Sequence, residues 1–219
     1  MFSSLDLRQV MVNFFAIVIA LTVHEYAHAW VADRMGDPTP RRAGRLVFSP
    51  VPIMQAHPFG ALVVPLLGAV SGFLIGWAAT PVNPHLVNRK YTLRQAERWI
   101  AAAGPLSNLL LGLVSIGLFA LLVPHQQSEW GAPLYQLSRA LVFVNALLMV
   151  FNLIPIPPLD GFTVLESSAP PSLRELVGFF RRYGTLVLLL IFMKGSLIFG
   201  PLFFGLAKLL YLIERAILL

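Results

Sequence analysis

Two histidines and a glutamate near the end of an apolar segment have the types and spacing to bind a metal ion and act on water. His24 and His28 are four residues apart, so on a helix they lie on one face, about one turn apart. At this spacing two imidazoles can share one metal ion. Glu25 lies beside them, where its carboxylate can hold a metal-bound water and accept its proton. Such polar residues are costly in apolar sequence, which favours a functional role.

The composition indicates a membrane protein. Of the 219 residues, 57% are hydrophobic and only 12% are charged, and the mean hydropathy is +0.75. A soluble domain carries about a quarter charged residues. Apolar runs near the ~20-residue spanning length recur, so we predict an all-α polytopic membrane protein with one membrane-embedded domain over residues 1–219. The chain has no cysteine, so a metal must use nitrogen and oxygen ligands.

The apolar runs predict about four to six transmembrane helices. Clear spans cover residues 10–32, 100–123 and 134–154. The last apolar region, 186–219, is long enough for one tilted helix plus a surface helix, or for a tight pair of helices. Residues 40–60 contain short alternating pieces rich in Val, Phe and Pro, which predict a small β-hairpin at the membrane surface, with an extended loop as the alternative.

The basic residues predict the topology. The connections on both sides of 61–79 are basic, as is the one after Asp160, whereas residues 124–133 contain no Lys or Arg. Placing the basic connections in the cytoplasm requires 61–79 to begin and end on the same side. About 20 residues cannot cross twice, so we predict a glycine-broken re-entrant segment there, with an ordinary span as the alternative. The N-terminus is then outside, and His24 and His28 lie near the cytoplasmic side.

The third metal ligand has to come from elsewhere in the chain. A catalytic zinc site has three protein ligands and an open position for water. The candidates beyond the two motif histidines are Asp160, His57, His85 and His125. Asp160 follows a proline-rich break that would unwind the helix and aim its carboxylate inward, whereas His125 lies in the outer loop. Leu159-Asp160-Gly161 is by itself typical of a turn, but opposite an HExxH motif we favour Asp160 as a ligand.

Several further stretches accompany the HExxH motif. They are His24 to Ala29, Gly36-Asp37-Pro38 with Gly44-Arg45, Gly76-Trp77 leading to Pro81-Val82-Asn83-Pro84, Ala103 to Asn108, and Asn152 through Pro155 to Pro158-Leu159-Asp160-Gly161. With these stretches the chain resembles the site-2 protease family of intramembrane zinc metalloproteases, in particular the compact bacterial group without PDZ or CBS domains. The resemblance covers about residues 10–165.

The resemblance implies hydrolysis of peptide bonds in or near transmembrane segments, with one Zn²⁺ ion as cofactor. It implies that His24, His28 and Asp160 are the zinc ligands and that Glu25 is the base. It also implies that Asn152 steadies the substrate or its oxyanion, as a carboxamide N–H in a dry site can do. The alternative is that Asn152 satisfies unwound backbone near the proline-rich break.

The resemblance also implies partners and a location. The partners are transmembrane protein substrates and the lipid bilayer, and no nucleic acid is expected because the basic residues lie in short connections between apolar runs. The oligomeric state stays open. The location is the bacterial inner membrane, with the active site nearer the cytoplasmic side.

Two further polar residues, His57 and Asn108, lie outside the proposed ligand set. Where the family pattern has an aspartate, this chain has His57, which is either a plain surface histidine or a transient fourth ligand that reaches the zinc or the substrate from its loop. Asn108 is interpreted as helix packing.

Two other functions compete with proteolysis. One is an inactive relative that binds membrane segments without cutting them, but the ligands and the base are all present. The other is a metal transporter, which would need ligands at several depths. The acids close to the predicted spans are Glu25 and Asp160, both at one end, which disfavours transport.

Overall fold

The structure is a computed structural model that describes residues 6–71, 76, 78–193 and 195–218. Trp77 and Lys194, which belong to stretches discussed above, lie outside the described residues. The described part consists of helices and loops, which confirms the all-α prediction for it. Its helices are α1 (Leu7–Met35), α2 (Thr39–Arg42), α3 (Val51–Ala56), a π-turn (Phe59–Val63), α4 (Val64–Ser71), α5 (Leu93–Leu122), α6 (Gly131–Asn152), α7 (Asp160–Ser168), α8 (Arg174–Met193) and α9 (Gly195–Leu218), with single 3₁₀ turns at Pro84–Leu86, Val123–His125 and Pro171–Leu173.

In the described part of the chain, three helices are long and apolar enough to cross a membrane, and they match the three clear spans of the prediction. They are Leu7–Met35, Leu93–His125 and Gly131–Asn152. Helix α5 begins at a capping box, in which the Thr92 hydroxyl accepts from the Gln95 backbone N–H and the Gln95 side chain accepts from that of Thr92. This capping box lies before residue 100, where the span was predicted to start. Helix α5 therefore has about two additional turns before the apolar span.

Helices α1, α5 and α6 form the bundle that contains the metal-binding motif. Helix α5 runs opposite to α1, because His28 contacts Ile100 whereas His24, one turn earlier in α1, contacts Asn108, which comes later in α5. Helices α1 and α6 pack through small and branched apolar side chains. The buried core comprises Ala16, Ile17, Ala20, Leu21, Leu141, Val144, Leu147 and Leu148, together with Leu206 of α9. This close-packed core fixes α1 beside α6.

The prediction of a β-hairpin over residues 40–60 is wrong. All of these residues are described, and they form the end of α2, a short loop, α3 and the start of the π-turn. Proline explains the difference, because it lacks the N–H that a strand ladder needs but is well tolerated in the first turn of a helix. Pro40 and Pro52 occupy such first-turn positions in α2 and α3.

The two ends of 61–79 lie side by side, although part of this segment is outside the described residues. The His57 Nε2 atom lies 3.0 Å from the carbonyl oxygen of Ala79. A Cβ atom added to Gly76 would lie 3.0 Å from Cγ of Pro65 and 2.4 Å from a methyl group of Leu21. The chain at Gly76 and Ala79 therefore lies close to Pro65 and His57.

The buried carboxylate of Asp37 accepts hydrogen bonds from two later parts of the backbone, at Thr39 and Asn83. Its Oδ1 accepts from the backbone N–H of Thr39 at 2.9 Å, and its Oδ2 accepts from that of Asn83 at 2.5 Å. Three residues before Asn83, the Thr80 hydroxyl donates to the carbonyl oxygen of Glu25 at 3.1 Å. The irregular stretch that contains Thr80 is therefore held along the last turns of α1, beside the HExxH motif.

The described residues of the last apolar region form two helices. Helix α9 packs on α6, where Phe203 contacts Phe143 at 6.2 Å between ring centres and Glu214 pairs with Arg139. The two alternatives for 186–219, a span plus a surface helix or a tight pair, both contain two such helices.

Candidate metal centre

Three potential ligand atoms converge on one point. The Nε2 atoms of His24 and His28 lie 3.1 Å apart, and they lie 3.2 and 3.4 Å from Oδ2 of Asp160. Ligand atoms bound tetrahedrally to zinc at about 2.0–2.1 Å are separated by about 3.3 Å. The three residues therefore fit a zinc ion, with the fourth position facing a cavity.

Helix α7 brings Asp160 to the histidines. Asp160 is the first residue of α7, so Leu159-Asp160-Gly161 starts a helix and not merely a surface loop. A Cβ atom at Gly161 would lie 2.3 Å from the carbonyl oxygen of Leu153, so only glycine lets α7 start so close to the end of α6. Burial opposes ionisation of the Asp160 carboxyl group, but the proximity of His24 and His28 outweighs burial and holds its pKa below the ordinary value. The residue is therefore available as a carboxylate ligand.

Helix α5 fixes the orientation of both imidazoles. The Nδ1 atom of His24 lies 2.6 Å from Oδ1 of Asn108, and that of His28 lies 2.7 Å from the carbonyl oxygen of Ile100. Carbonyl oxygens only accept hydrogen bonds, so each Nδ1 carries the proton and each Nε2 lone pair points to the shared position. The sequence analysis assigned Asn108 to helix packing. In the structure it also orients the His24 imidazole.

Asn145 of α6 supports this arrangement and was missed by sequence reasoning. The Asn108 Nδ2 donates to Oδ1 of Asn145 at 2.8 Å, and Asn145 in turn donates to the carbonyl oxygen of Leu141 at 2.8 Å. Both asparagines are fully buried, and the chain of bonds fixes which end of the Asn108 amide faces His24. The signal was present, because an asparagine inside an apolar span is costly unless it has a partner.

Gly104 allows α5 to pass directly against the imidazoles. A Cβ atom at this position would lie 2.5 Å from both Cε1 of His24 and Nε2 of His28. Real Cβ contacts are never so short, so a side chain here requires the imidazoles or the helix to move. The Ala103-Gly104-Pro105 stretch is therefore explained by close approach to the imidazoles of His24 and His28.

The Gly104→Ala variant is expected to bind zinc about 10–100-fold more weakly, because displaced imidazoles lose the orientation set by Asn108 and Ile100. Competition with a chromogenic chelator measures the change. Gly117→Ala, on the same helix, is the matched control, since a Cβ atom there meets nothing within 4 Å. Equal zinc affinity in both variants would contradict the proposed packing.

A cavity of about 320 Å³ opens beside the three ligands. Glu25 lines it and is 5% exposed, and its Oε2 is buried with no hydrogen-bond partner among the described residues. An unpaired buried carboxylate oxygen is what a base next to a metal-bound water requires. Asn152 also lines the cavity, while its Nδ2 donates to the carbonyl oxygen of Leu148 at 3.0 Å. Asn152 thus satisfies helix backbone and still faces the cavity.

Two other charged residues near the cavity, Glu97 and Arg45, were not predicted from sequence to belong to the site. Glu97 lines the cavity. It belongs to α5 because this helix starts at Leu93, earlier than the predicted start near residue 100. Arg45 is buried beside Glu25, and its Nη1 makes no hydrogen bond within the described residues. His57 is not among the residues that line the cavity, so the structure gives no support to the alternative in which it is a fourth ligand.

The geometry agrees with comparisons to known proteins. Residues 12–129 match the sequence profile of Peptidase family M50. Over 195 residues the chain is 35% identical to "Putative zinc metalloprotease YwhC" of Bacillus subtilis (strain 168), covering 85% of this chain and 83% of that protein. The chain belongs to peptidase family M50, the site-2 protease family. As a member of this family it is a zinc metalloprotease.

Further M50 relatives carry similar names. "Putative zinc metalloprotease Rip2" of Mycolicibacterium smegmatis is 30% identical over 193 residues, which cover 85% of this chain and 70% of that protein. "Putative zinc metalloprotease MJ0611" of Methanocaldococcus jannaschii is 33% identical over 103 residues, 45% of this chain and 51% of that protein. A comparison with solved structures found no match.

Proposed function

We propose that this M50 protease hydrolyses peptide bonds in or near the transmembrane segments of membrane proteins, as in regulated intramembrane proteolysis. The observation that carries the proposal is the position of the ligand group. His24 and His28 are buried on α1, one of the three helices apolar enough to span a membrane, and Asp160 reaches them from α7. Residues buried in this way have access to peptide bonds that soluble proteases do not reach.

In this proposal His24, His28 and Asp160 hold one zinc ion. Bound zinc would lower the pKa of a water molecule and polarise the substrate carbonyl. Glu25 would accept the proton of that water at its unpaired Oε2 and pass it to the leaving amine. Asn152, at the wall of the same cavity, would donate to the substrate carbonyl oxygen as negative charge develops there.

The substrate has to be unwound before it is cut. Carbonyl groups of a transmembrane helix are held in i→i−4 hydrogen bonds, which block attack. Ala78, Ala79 and Thr80 belong to an irregular stretch and line the cavity. We propose that an extended substrate segment lies along this stretch, where main-chain hydrogen bonds can replace those of its helix.

The proposed topology follows from the basic connections. The N-terminus would lie outside, α1 would run inward, and the active site would lie nearer the cytoplasmic side of the bacterial inner membrane. Residues 61–79 would re-enter without crossing, which the contact between His57 and Ala79 supports. The chain would form one membrane-embedded protease domain with four to six crossings.

The purified protein in detergent is expected to cut single-span substrates, and a zinc chelator is expected to stop the reaction until zinc is restored. Mass spectrometry of the products places the cut in or near the transmembrane segment. An unfolded soluble protein such as casein serves as the control substrate. Cuts confined to casein or to soluble loops would contradict intramembrane proteolysis, and zinc binding without any cleavage would favour the inactive relative.

A further inference from the structure

Glu97 lies on the face of α5 that forms the wall of the metal centre. Ile100, Gly104 and Asn108 of this face contact the two histidines. Glu97 precedes Ile100 by three residues, so it lies on the same face and about 4.5 Å further along the helix axis. It lines the same cavity as the zinc-ligand group. Its carboxylate is therefore placed next to the reaction centre, towards the start of α5.

The charge of Glu97 is not compensated within the cavity. Among the described residues, three carboxylates line the cavity, those of Glu25, Glu97 and Asp160, and no Lys or Arg lines it, although Arg45 is buried beside Glu25. Among the described residues, no Lys, Arg or His nitrogen lies within salt-bridge distance of Glu97. One divalent metal ion would offset two of the three negative charges. Arg45 lies beside Glu25 and makes no ion pair with Glu97, so in the described part of the chain the Glu97 carboxylate has no cationic partner and a positively charged ligand group can neutralise it.

We infer that Glu97 is a specificity-determining residue that binds a Lys or Arg side chain of the substrate close to the scissile bond. The inference rests on the proposed function, because transmembrane segments carry Lys and Arg at their cytoplasmic ends. The rest of the cavity wall suits such a side chain. Val82, Ile100 and Ala101 offer apolar surface to its methylene stem, and Glu97 offers a partner to its charged head.

The test uses single-span substrates that are identical except for one residue, which is Lys, Gln or Glu at each position around the mapped cut. At one of these positions the wild-type protein is expected to cleave the Lys substrate with a kcat/KM about tenfold above that of the Gln substrate. Glu97→Gln is expected to remove this preference with zinc content unchanged, and Glu97→Arg to shift it towards the Glu substrate. Glu129→Gln, which changes an exposed acid remote from the cavity, is expected to keep the wild-type preference.

Binding measured without cleavage separates this inference from the proposed function. The same substrates are bound to the Glu25→Gln variant, with and without Glu97→Gln. A Lys preference in binding that depends on Glu97, without cleavage by the wild-type protein, would support the inference and overturn the proposed proteolysis. Identical Lys, Gln and Glu ratios with and without Glu97→Gln would overturn the inference. Loss of zinc in Glu97→Gln would also overturn it and assign the residue to metal binding.

Discussion

The Glu25→Gln variant is expected to bind one equivalent of zinc and to lose about 10²–10⁴-fold in cleavage rate. Glutamine has the same size as glutamate, so the packing of α1 and the positions of His24 and His28 stay as they are. Its carboxamide cannot accept a proton from water, which removes the base. Cleavage of a single-span substrate and metal content, measured on the same preparation, give the two values.

A surface glutamate provides the control for this experiment. Glu166 of α7 pairs with Arg181, and neither lines the cavity. Glu166→Gln removes a carboxylate without touching the metal centre, so its cleavage rate is expected to match the wild-type rate. Wild-type activity in Glu25→Gln would show that the proton is accepted elsewhere, and loss of zinc from it would show that the residue acts through the metal site.

The Asp160→Asn variant is expected to lose its zinc. Among the described residues, the Asp160 carboxylate is the one that pairs with both Nε2 atoms, at 3.2 and 3.4 Å, and an amide oxygen is a weak zinc ligand without negative charge. We expect a fall in zinc affinity of more than about 100-fold, and loss of cleavage with it. Metal analysis after dialysis against a weak chelator gives the affinity.

The same control variant applies here, because Glu166 lies on the same helix as Asp160. Glu166→Gln is expected to hold zinc as the wild-type protein does. If Asp160→Asn retained zinc at wild-type affinity, a ligand outside the described group would have to complete the site. The distances around His24 and His28 would then need another explanation.

Sequence periodicity was sufficient to predict the three spanning helices and the pairing of His24 with His28. It was also sufficient to favour Asp160, because a proline-rich break before an Asp-Gly pair has few uses in an apolar chain. The convergence of these three residues in the structure agrees with that prediction. Local signals and tertiary structure point the same way at this site.

Other features of the fold and the site were not predicted correctly from sequence. The role of Asn108 depends on the register between α5 and α1, which brings its amide to His24 and not to a neighbouring turn. Glu97 was missed because the apolar run starts after it, although the capping box at Thr92 marks the true helix start. Alternating Val and Phe over residues 40–60 indicated strands, but the prolines in this segment disfavour strand pairing and start short helices instead.

The position of Asp160 has a consequence for assembly of the protein. A metal ion held by His24, His28 and Asp160 is a cross-link between the first helix of the chain and the segment that follows α6. The free energy of metal binding is then also free energy of folding, because the unassembled chain has no such site. Full metal affinity would then require α6 to dock beside α1, so the enzyme would acquire its catalytic ion only as its helices assemble.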